Sequence, residues 1–189
     1  MEIRVSHLWK SYGGVAVLRD VTFTAGDGVT CVMAPSGAGK TTLLRILLGL
    51  ETADSGTVEG ADCRWAAVFQ EDRLLEHLDA AGNLRFVLGR RCDAAQAAAV
   101  LAELGLEDTG GKAVRTYSGG MRRRLALARA LLAESGALAL DEPFAGLDSE
   151  TRRRAWSCIL RHRGQRPVLL VTHDGEDAAG LDAKVVRLV

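Results

Sequence analysis

The chain has 189 residues, of which 48% are hydrophobic, so a single domain can bury a substantial core. Its 24 basic residues balance 24 acidic ones, which excludes attraction of nucleic acid or an anionic membrane through net charge. No stretch approaches the roughly 20 apolar residues that cross a bilayer, and the start lacks the apolar core of a signal peptide. The four cysteines lack metal-binding or redox spacing, so we expect an intracellular chain with reduced thiols.

The N-terminal segment predicts an antiparallel β-layer. Ile3, Val5 and His7 alternate onto one side of a first strand. A second strand-like run, Val21–Phe23, follows the turn at Gly13–Gly14, as expected for two strands joined by a hairpin.

The next segment predicts a phosphate-binding loop. Ala34–Thr42 stands between a short apolar strand, Val29–Met33, and a helix, Thr41–Leu48, which is the context such a loop requires. Small residues let backbone N–H groups surround phosphate oxygens, and the helix N-terminus adds its dipole. Lys40 can bridge the β- and γ-phosphates, and Thr41 can bind Mg²⁺. We therefore predict ATP or GTP with Mg²⁺, held by Ser36, Gly37, Ala38, Gly39, Lys40, Thr41 and Thr42.

The middle of the chain predicts a helical insertion at about residues 76–133, because it is rich in alanine, leucine and arginine. Helices are expected at Ala94–Leu104 and Met121–Leu132. Three later apolar runs have the character of parallel strands buried on both faces, namely Ala137–Leu140, Val168–Val171 and Val185–Val189. We predict one α/β domain over residues 1–189, with a mostly parallel core sheet, an N-terminal antiparallel β-layer and an inserted helical subdomain.

Two carboxylates follow one of these strands directly. Asp141 and Glu142 come after Ala137–Leu140, and open α/β sheets bind ligands at the carboxyl ends of their strands. Asp141 would hold Mg²⁺, and Glu142 would polarise the water that attacks the γ-phosphate. A solvated strand end would show the same pair, but the phosphate-binding loop favours the catalytic interpretation.

A second phosphate-binding surface is predicted at Ser118–Gly120. Ser118 can cap a helix, and the two glycines let its N-terminal amides approach an anion. The whole segment Tyr117–Leu131 resembles the signature motif of ABC ATPases and the helix that follows it. Tyr117 and Met121 replace the usual leucine and glutamine of that motif, and Ala34 replaces the first glycine of the phosphate-binding loop.

The resemblance implies the fold of a P-loop NTPase and a head-to-tail pair of ATPase subunits, as a homodimer or a heterodimer. The Ser118, Gly119 and Gly120 surface of one subunit would contact ATP held by the other. ATP hydrolysis would then power solute transport through separate permease subunits, with a solute-binding protein as a further partner. The chain itself would be cytoplasmic and peripheral at the inner face of the cell membrane, without direct insertion and without nucleic acid.

The resemblance also assigns roles to four single residues. Tyr12 matches the aromatic residue that stacks on adenine, although simple packing would explain it as well. Gln70 matches the glutamine that senses Mg²⁺ and the attacking water and links them to the permease. Asp148 lies in the loop through which subunits contact each other, or is only a helix cap. His173 matches the histidine that contacts the γ-phosphate.

The stretch Val68–Leu75 is similar to importer ATPases of the nitrate, sulfonate and taurine group. A nearby apolar face could bind a permease helix or pack on the core, and it includes Leu74, Leu75, Leu84 and Phe86. We expect no room for a C-terminal regulatory domain. Two alternatives remain, a soluble ABC ATPase that acts on nucleic acid or ribosomes and an assembly module that binds ATP without turnover. The sequence does not identify the cargo.

Overall fold

The computed structural model describes residues 1–35, 37–109 and 111–188. Ser36, a predicted nucleotide contact, and Val189, the predicted end of the last strand, lie outside them. The strands are β1 (Ile3–Tyr12), β2 (Val15–Ala25), β3 (Val29–Met33), β4 (Ser55–Glu59), β5 (Trp65–Val68), β6 (Ala137–Asp141), β7 (Val168–Thr172) and β8 (Lys184–Arg187). The helices are α1 (Lys40–Leu47), α2 (Ala80–Leu88), α3 (Ala94–Glu103), α4 (Gly119–Leu132), α5 (Ser149–His162) and α6 (Gly175–Gly180).

The chain forms two compact units. The sheet unit contains Met1–Trp65, Ser135–Asp141 and Gln165–Val189, and the helical unit contains Ala66–Glu134 and Glu142–Gly164. The helical unit thus includes a segment beyond the predicted insertion at residues 76–133. That all 189 residues form one domain stays a prediction.

The predicted antiparallel β-layer is present in the sheet unit. β1 pairs with β2 on one side and with β4 on the other, both antiparallel. Ile3, Val5 and Leu8 of β1 are buried. The placement of His7 beside Ile3 and Val5 was wrong, because the register shifts between Val5 and Leu8 and His7 takes a φ of +50°. This irregularity turns His7 outward, where its side chain is 77% exposed.

The predicted parallel sheet is also present, with β6, β7, β3 and β8 lying side by side in that order. Each neighbouring pair is parallel. Every residue of β6 and β7 is buried, as expected for strands covered on both faces. The prediction of a fully buried last strand was wrong, because β8 lies at the edge of the sheet and Val185 is 44% exposed.

The helical unit is built around α4. This helix packs against α2, α3 and α5, and α3 packs against α5. Leu84, Val100 and Leu125 are fully buried, and the rings of Phe144 and Trp156 meet edge to face with centroids 6.2 Å apart. Within the described part of the chain, no helix is long and apolar enough to cross a membrane.

Candidate nucleotide-binding site

The loop between β3 and α1 has the shape that its glycines allow. Gly39 precedes the first residue of α1 and has a φ of +81°. A Cβ atom at this position would lie 2.7 Å from both the carbonyl oxygen of Val17 and the Cδ2 atom of Leu18. Only glycine fits there without displacing β2. Gly37 also has a positive φ, of +83°, but open space surrounds it.

Lys40 lies across this loop. Its ammonium group donates hydrogen bonds to the carbonyl oxygens of Ala34, at 2.7 Å, and Pro35, at 3.0 Å. Because Lys40 is also the first residue of α1, its charge lies beside the positive end of the helix dipole. Lys40, Ala38 and Thr42 are half-buried and Gly37 is exposed, so the loop presents a positive, accessible surface suited to phosphate.

Thr41 and Asp141 come together although they are distant in sequence. The Thr41 hydroxyl donates a hydrogen bond to Oδ2 of Asp141 at 3.0 Å. Asp141 is the last residue of β6 and is only 3% exposed. A hydroxyl oxygen beside a buried carboxylate is a donor set that a hard cation such as Mg²⁺ prefers. The two predicted metal ligands of the sheet unit therefore fit the group that they would hold.

Glu142 begins a turn directly after β6. Its φ is +48°, in the left-handed region that costs a residue with a side chain roughly 1 kcal/mol or more. Its carbonyl oxygen accepts a hydrogen bond from the Ala145 amide at 3.2 Å. Glu142, whose side chain is half-buried, thus stands directly after the carboxyl end of a core strand, and its backbone is strained.

The predicted cap of α4 is confirmed. Ser118 is the N-cap residue, and its hydroxyl accepts a hydrogen bond from the Met121 amide at 3.2 Å. Ser118 and Gly119 are exposed. A Cβ atom on Gly120 would lie 3.3 Å from Cδ2 of Leu147, so this glycine lets the loop after β6 pack closely on α4. The helix end therefore offers exposed amides to an anion.

Sequence reasoning missed a clamp on the backbone around Gln70. Gln70 itself is exposed, whereas Arg123 on α4 is only 8% exposed. The Arg123 guanidinium donates to the carbonyl oxygens of Phe69 and Gln70, each at 2.6 Å. It also lies 3.2 Å from a carboxylate oxygen of Asp72. The sequence contained one sign of this contact: Arg123 stands at helical spacing from Leu127 and Ala130, on the buried face of α4.

A second arginine of α4 extends this clamp. Arg129 donates to the carbonyl oxygens of Asp72, at 2.9 Å, and Arg73, at 2.8 Å. Burial raises the pKa of the Asp72 carboxyl, and this effect outweighs the opposing influence of Arg123, Arg122 and Arg129. Together the two arginines fix four consecutive carbonyl groups, from residue 69 to residue 73 with residue 71 left out, to a helix.

Asp148 caps α5, so the helix-cap alternative is present in the structure. Its carboxylate accepts hydrogen bonds from the amides of Glu150 and Thr151, at 3.0 and 2.9 Å, and from the Thr151 hydroxyl at 2.7 Å. These bonds, with those from Thr151 the largest, lower the pKa of Asp148. The Asp148 carboxylate therefore already accepts hydrogen bonds from the first turn of its own helix.

The remaining predicted residues are exposed ends of strands. Tyr12 is the last residue of β1 and is 44% exposed, and the Lys10 ammonium lies 5.2 Å from its ring centroid. His173 follows β7 directly and is exposed. On the predicted apolar face, Leu84 follows the alternative of packing on the core, because α2 buries it fully, whereas Phe86 is 70% exposed.

Comparisons with known proteins identify a family and relatives of this chain. The model of the ABC transporter family matches residues 18–145. The aliphatic sulfonates import ATP-binding protein SsuB 2 of Burkholderia cenocepacia is 37% identical, and the alignment covers 100% of this chain and 73% of that protein. The sulfate/thiosulfate import ATP-binding protein CysA of Xanthomonas campestris pv. campestris is 38% identical, with 100% and 61% covered. A solved ATP-binding subunit of an ABC transporter superposes with a TM-score of 0.85 at 24% identity, covering 100% of this chain and 86% of that one, which supports the fold.

Proposed function

This chain belongs to the ABC transporter family of ATPases, and from this premise we propose that it powers solute import through separate permease subunits. Relatives named as import ATP-binding proteins for sulfonates and for sulfate or thiosulfate support the direction of transport. They also make sulfur oxyanions the first class of cargo to test. The single observation that carries the ATPase site is the hydrogen bond between Thr41 and Asp141 at 3.0 Å.

We propose that the loop between β3 and α1 binds the triphosphate of ATP. The Lys40 ammonium exchanges the carbonyl oxygens of Ala34 and Pro35 for β- and γ-phosphate oxygens, which suit its charge better. Backbone amides of Gly37, Ala38 and Gly39 and the side chain of Thr42 complete the cradle, and Tyr12 stacks on adenine. Thr41 and Asp141 would hold Mg²⁺, and the family resemblance adds Gln70 as a further ligand; the ion would supply charge compensation at the phosphates.

Hydrolysis in this proposal depends on Glu142. Phosphoryl transfer needs little covalent chemistry from the protein, so the main tasks are to orient a water molecule and to compensate charge. The Glu142 carboxylate accepts a hydrogen bond from the attacking water, and His173 contacts the γ-phosphate. The clamp from Arg123 supports Gln70 by fixing the backbone that carries it.

A second copy, or a related subunit, completes each site in this proposal. The α4 end comprises the exposed Ser118 and Gly119 and the half-buried Gly120. Its amides would contact the γ-phosphate of ATP held by the other subunit. Asp148 lies at the head of α5 and would contact the partner while it caps its own helix. ATP would thus close the pair, and hydrolysis would reopen it.

The permease would contact the region after Gln70. Phe86 and Val87 of α2 are exposed by 70% and 46%, and exposed apolar side chains of this kind support a protein-binding face. The chain would then be cytoplasmic and held at the inner membrane face by the permease, with a solute-binding protein as a further component. Co-purification from membranes with a multi-span protein would support this arrangement, and a solely ribosomal partner would contradict it.

The ATPase site is tested with two variants and a control. Glu142→Gln should abolish steady ATP hydrolysis, preserve ATP binding and favour an ATP-bound dimer in size-exclusion chromatography. Lys40→Ala should weaken ATP binding itself, because it removes the charge in the loop. Glu59→Gln, an exposed carboxylate on β4, is the control and should behave as the wild type. Unchanged turnover in Glu142→Gln would exclude its role as the base, and ATP binding without any wild-type turnover would favour the assembly module.

A further inference from the structure

A cluster of three metal-binding residue types lies in the helical unit, apart from the nucleotide residues. Cys158 and His162 are four positions apart on α5, so they share one face of that helix. Glu103 is the last residue of α3, which packs against α5. One ligand atom from each of the three lies within 4.8 Å of the others. Two helices therefore converge on a thiol, an imidazole and a carboxylate.

We propose that Glu103, Cys158 and His162 form a Zn²⁺ site that joins α3 to α5. Sulfur, nitrogen and oxygen donors together are the ligand set of zinc, a borderline-soft ion, rather than of Mg²⁺ or Ca²⁺. Three protein ligands leave the fourth tetrahedral position to water. A thiolate, a carboxylate and a neutral imidazole carry two negative charges, which balance Zn²⁺.

The groups already face one another. The Nε2 atom of His162 lies 3.1 and 3.0 Å from the two carboxylate oxygens of Glu103. Zinc bonds of about 2.0–2.3 Å in a tetrahedron separate neighbouring ligand atoms by about 3.3–3.8 Å. The ligand atoms of the three residues lie within 4.8 Å of one another, which exceeds the tetrahedral range by no more than about 1 Å. Arg161, whose Nη1 lies 3.1 Å from Oε1 of Glu103, can keep that contact while the other oxygen binds metal.

Zn²⁺ binding would require the Cys158 thiol to lose its proton to solvent, because the thiolate is the form of cysteine that binds metal.

A surface cavity lies beside two of the three proposed ligands. It has a volume of about 340 Å³ and is lined by Glu103 and Cys158 together with Glu150, Arg153, Arg154, Ser157 and Arg161. Cys158 itself is only 1% exposed, so its sulfur lies at the base of this cavity rather than on the open surface. An ion that enters can lose water to three protein ligands and keep one water molecule toward the cavity.

The test uses Co²⁺ as a spectroscopic probe of the full chain, reduced and free of nucleotide. Thiolate coordination should give a charge-transfer band in the near ultraviolet and tetrahedral visible bands at one Co²⁺ per chain, and Zn²⁺ should remove them by competition. Zn²⁺ should also raise the melting temperature, since it binds only the folded arrangement. Because no ATP is present, failure here leaves the ATPase proposal untouched, and failure of the ATPase tests leaves this one untouched.

Variants separate the cluster from other thiols. Cys158→Ser should abolish the charge-transfer band, while Cys92→Ser, a half-buried cysteine of the same unit outside the cluster, should keep it. Glu103→Gln, a near-isosteric change of a half-buried residue, should weaken Zn²⁺ binding at least about tenfold in calorimetry without loss of helix. The proposal is overturned if wild type gives no thiolate band, or if Cys158→Ser and Glu103→Gln bind Zn²⁺ as the wild type does.

Discussion

Replacement of Arg123 by alanine should destabilise the protein strongly and impair the ATPase. Arg123 is 8% exposed, and its guanidinium donates two hydrogen bonds of 2.6 Å and lies 3.2 Å from a carboxylate oxygen of Asp72. Removal of one partner from a buried charged network costs about 3–5 kcal/mol, because the other partners stay desolvated and unpaired. We expect a loss in this range in the free energy of unfolding, which is a large share of a typical total of about 5–15 kcal/mol.

Urea unfolding followed by circular dichroism measures this loss. Arg123→Lys keeps a charge near Asp72 but cannot bind both carbonyl groups as a planar fork, so its loss should be intermediate. Arg122→Ala is the neighbouring control. Arg122 makes a looser ion pair with Glu76, at 3.5 Å, and donates one hydrogen bond to the Arg115 carbonyl oxygen, at 3.0 Å. Its removal should cost about 1–2 kcal/mol, less than the removal of Arg123.

The effect should also depend on pH through Asp72. Its pKa is raised in the folded protein, so the folded state holds the proton more tightly, and this carboxyl lowers stability as pH rises from its unfolded pKa through its folded pKa. Removal of Arg123 raises the pKa of Asp72 in the folded protein further, and so widens the pH range over which this carboxyl lowers stability. Asp72→Asn in the Arg123→Ala background should therefore recover part of the lost stability at neutral pH, as a double-mutant cycle would measure.

The activity measurement tests the link to Gln70. In Arg123→Ala, kcat for ATP hydrolysis should fall more than ATP affinity, because the phosphate loop is in the sheet unit and keeps its own contacts. A loss below about 1 kcal/mol in unfolding free energy, together with wild-type kcat, would refute the clamp.

Three further changes have defined outcomes. Gly39→Ala should lower the unfolding free energy by more than about 1 kcal/mol and weaken ATP binding, because its Cβ would lie 2.7 Å from Val17 and Leu18. Gly37→Ala has a strained backbone but no clash, so it should lower the free energy of unfolding and the ATP affinity less than Gly39→Ala does. Equal losses in the two variants, measured by urea unfolding and by calorimetry, would contradict the steric argument. Phe144→Ala should lower the free energy of unfolding by about 3–5 kcal/mol in urea unfolding, since Phe144 is 1% exposed and its ring packs edge to face on Trp156. A loss under about 1 kcal/mol would show that neighbouring side chains fill the cavity, and would contradict this expectation. Asp148 has a lowered folded pKa, so its contribution exists above the ordinary value of 3.8 and disappears as pH falls through the lower folded value. The melting temperature of Asp148→Asn should accordingly fall less steeply than that of the wild type over this acid range, and parallel curves would contradict the cap.

The sequence predicted the elements whose pattern permits few alternatives. The four-residue apolar run Ala137–Leu140 is too short for a buried helix. The rule that ligands bind at the carboxyl ends of parallel strands then placed Asp141 near the phosphate-binding loop. The hydrogen bond between Asp141 and Thr41 follows from that topology.

Features that depend on tertiary context were not predictable. An alternating pattern put His7 on the same side of β1 as Ile3 and Val5, because the pattern cannot show a register shift. Leu84 and Phe86 are both large and apolar, and only the packing of α2 decides which one is exposed. Arg123 and Arg129 bind backbone carbonyl groups, which every residue possesses, so no residue pattern marks their partners.

The backbone of Glu142 has a consequence for how this protein could be made more robust. A left-handed residue directly after a core strand is a position at which glycine would relax the chain, so selection for thermal resistance alone would favour losing the carboxylate. The fold therefore keeps backbone strain at the residue proposed as the base. Screens that measure only melting temperature would select stable variants without ATPase activity.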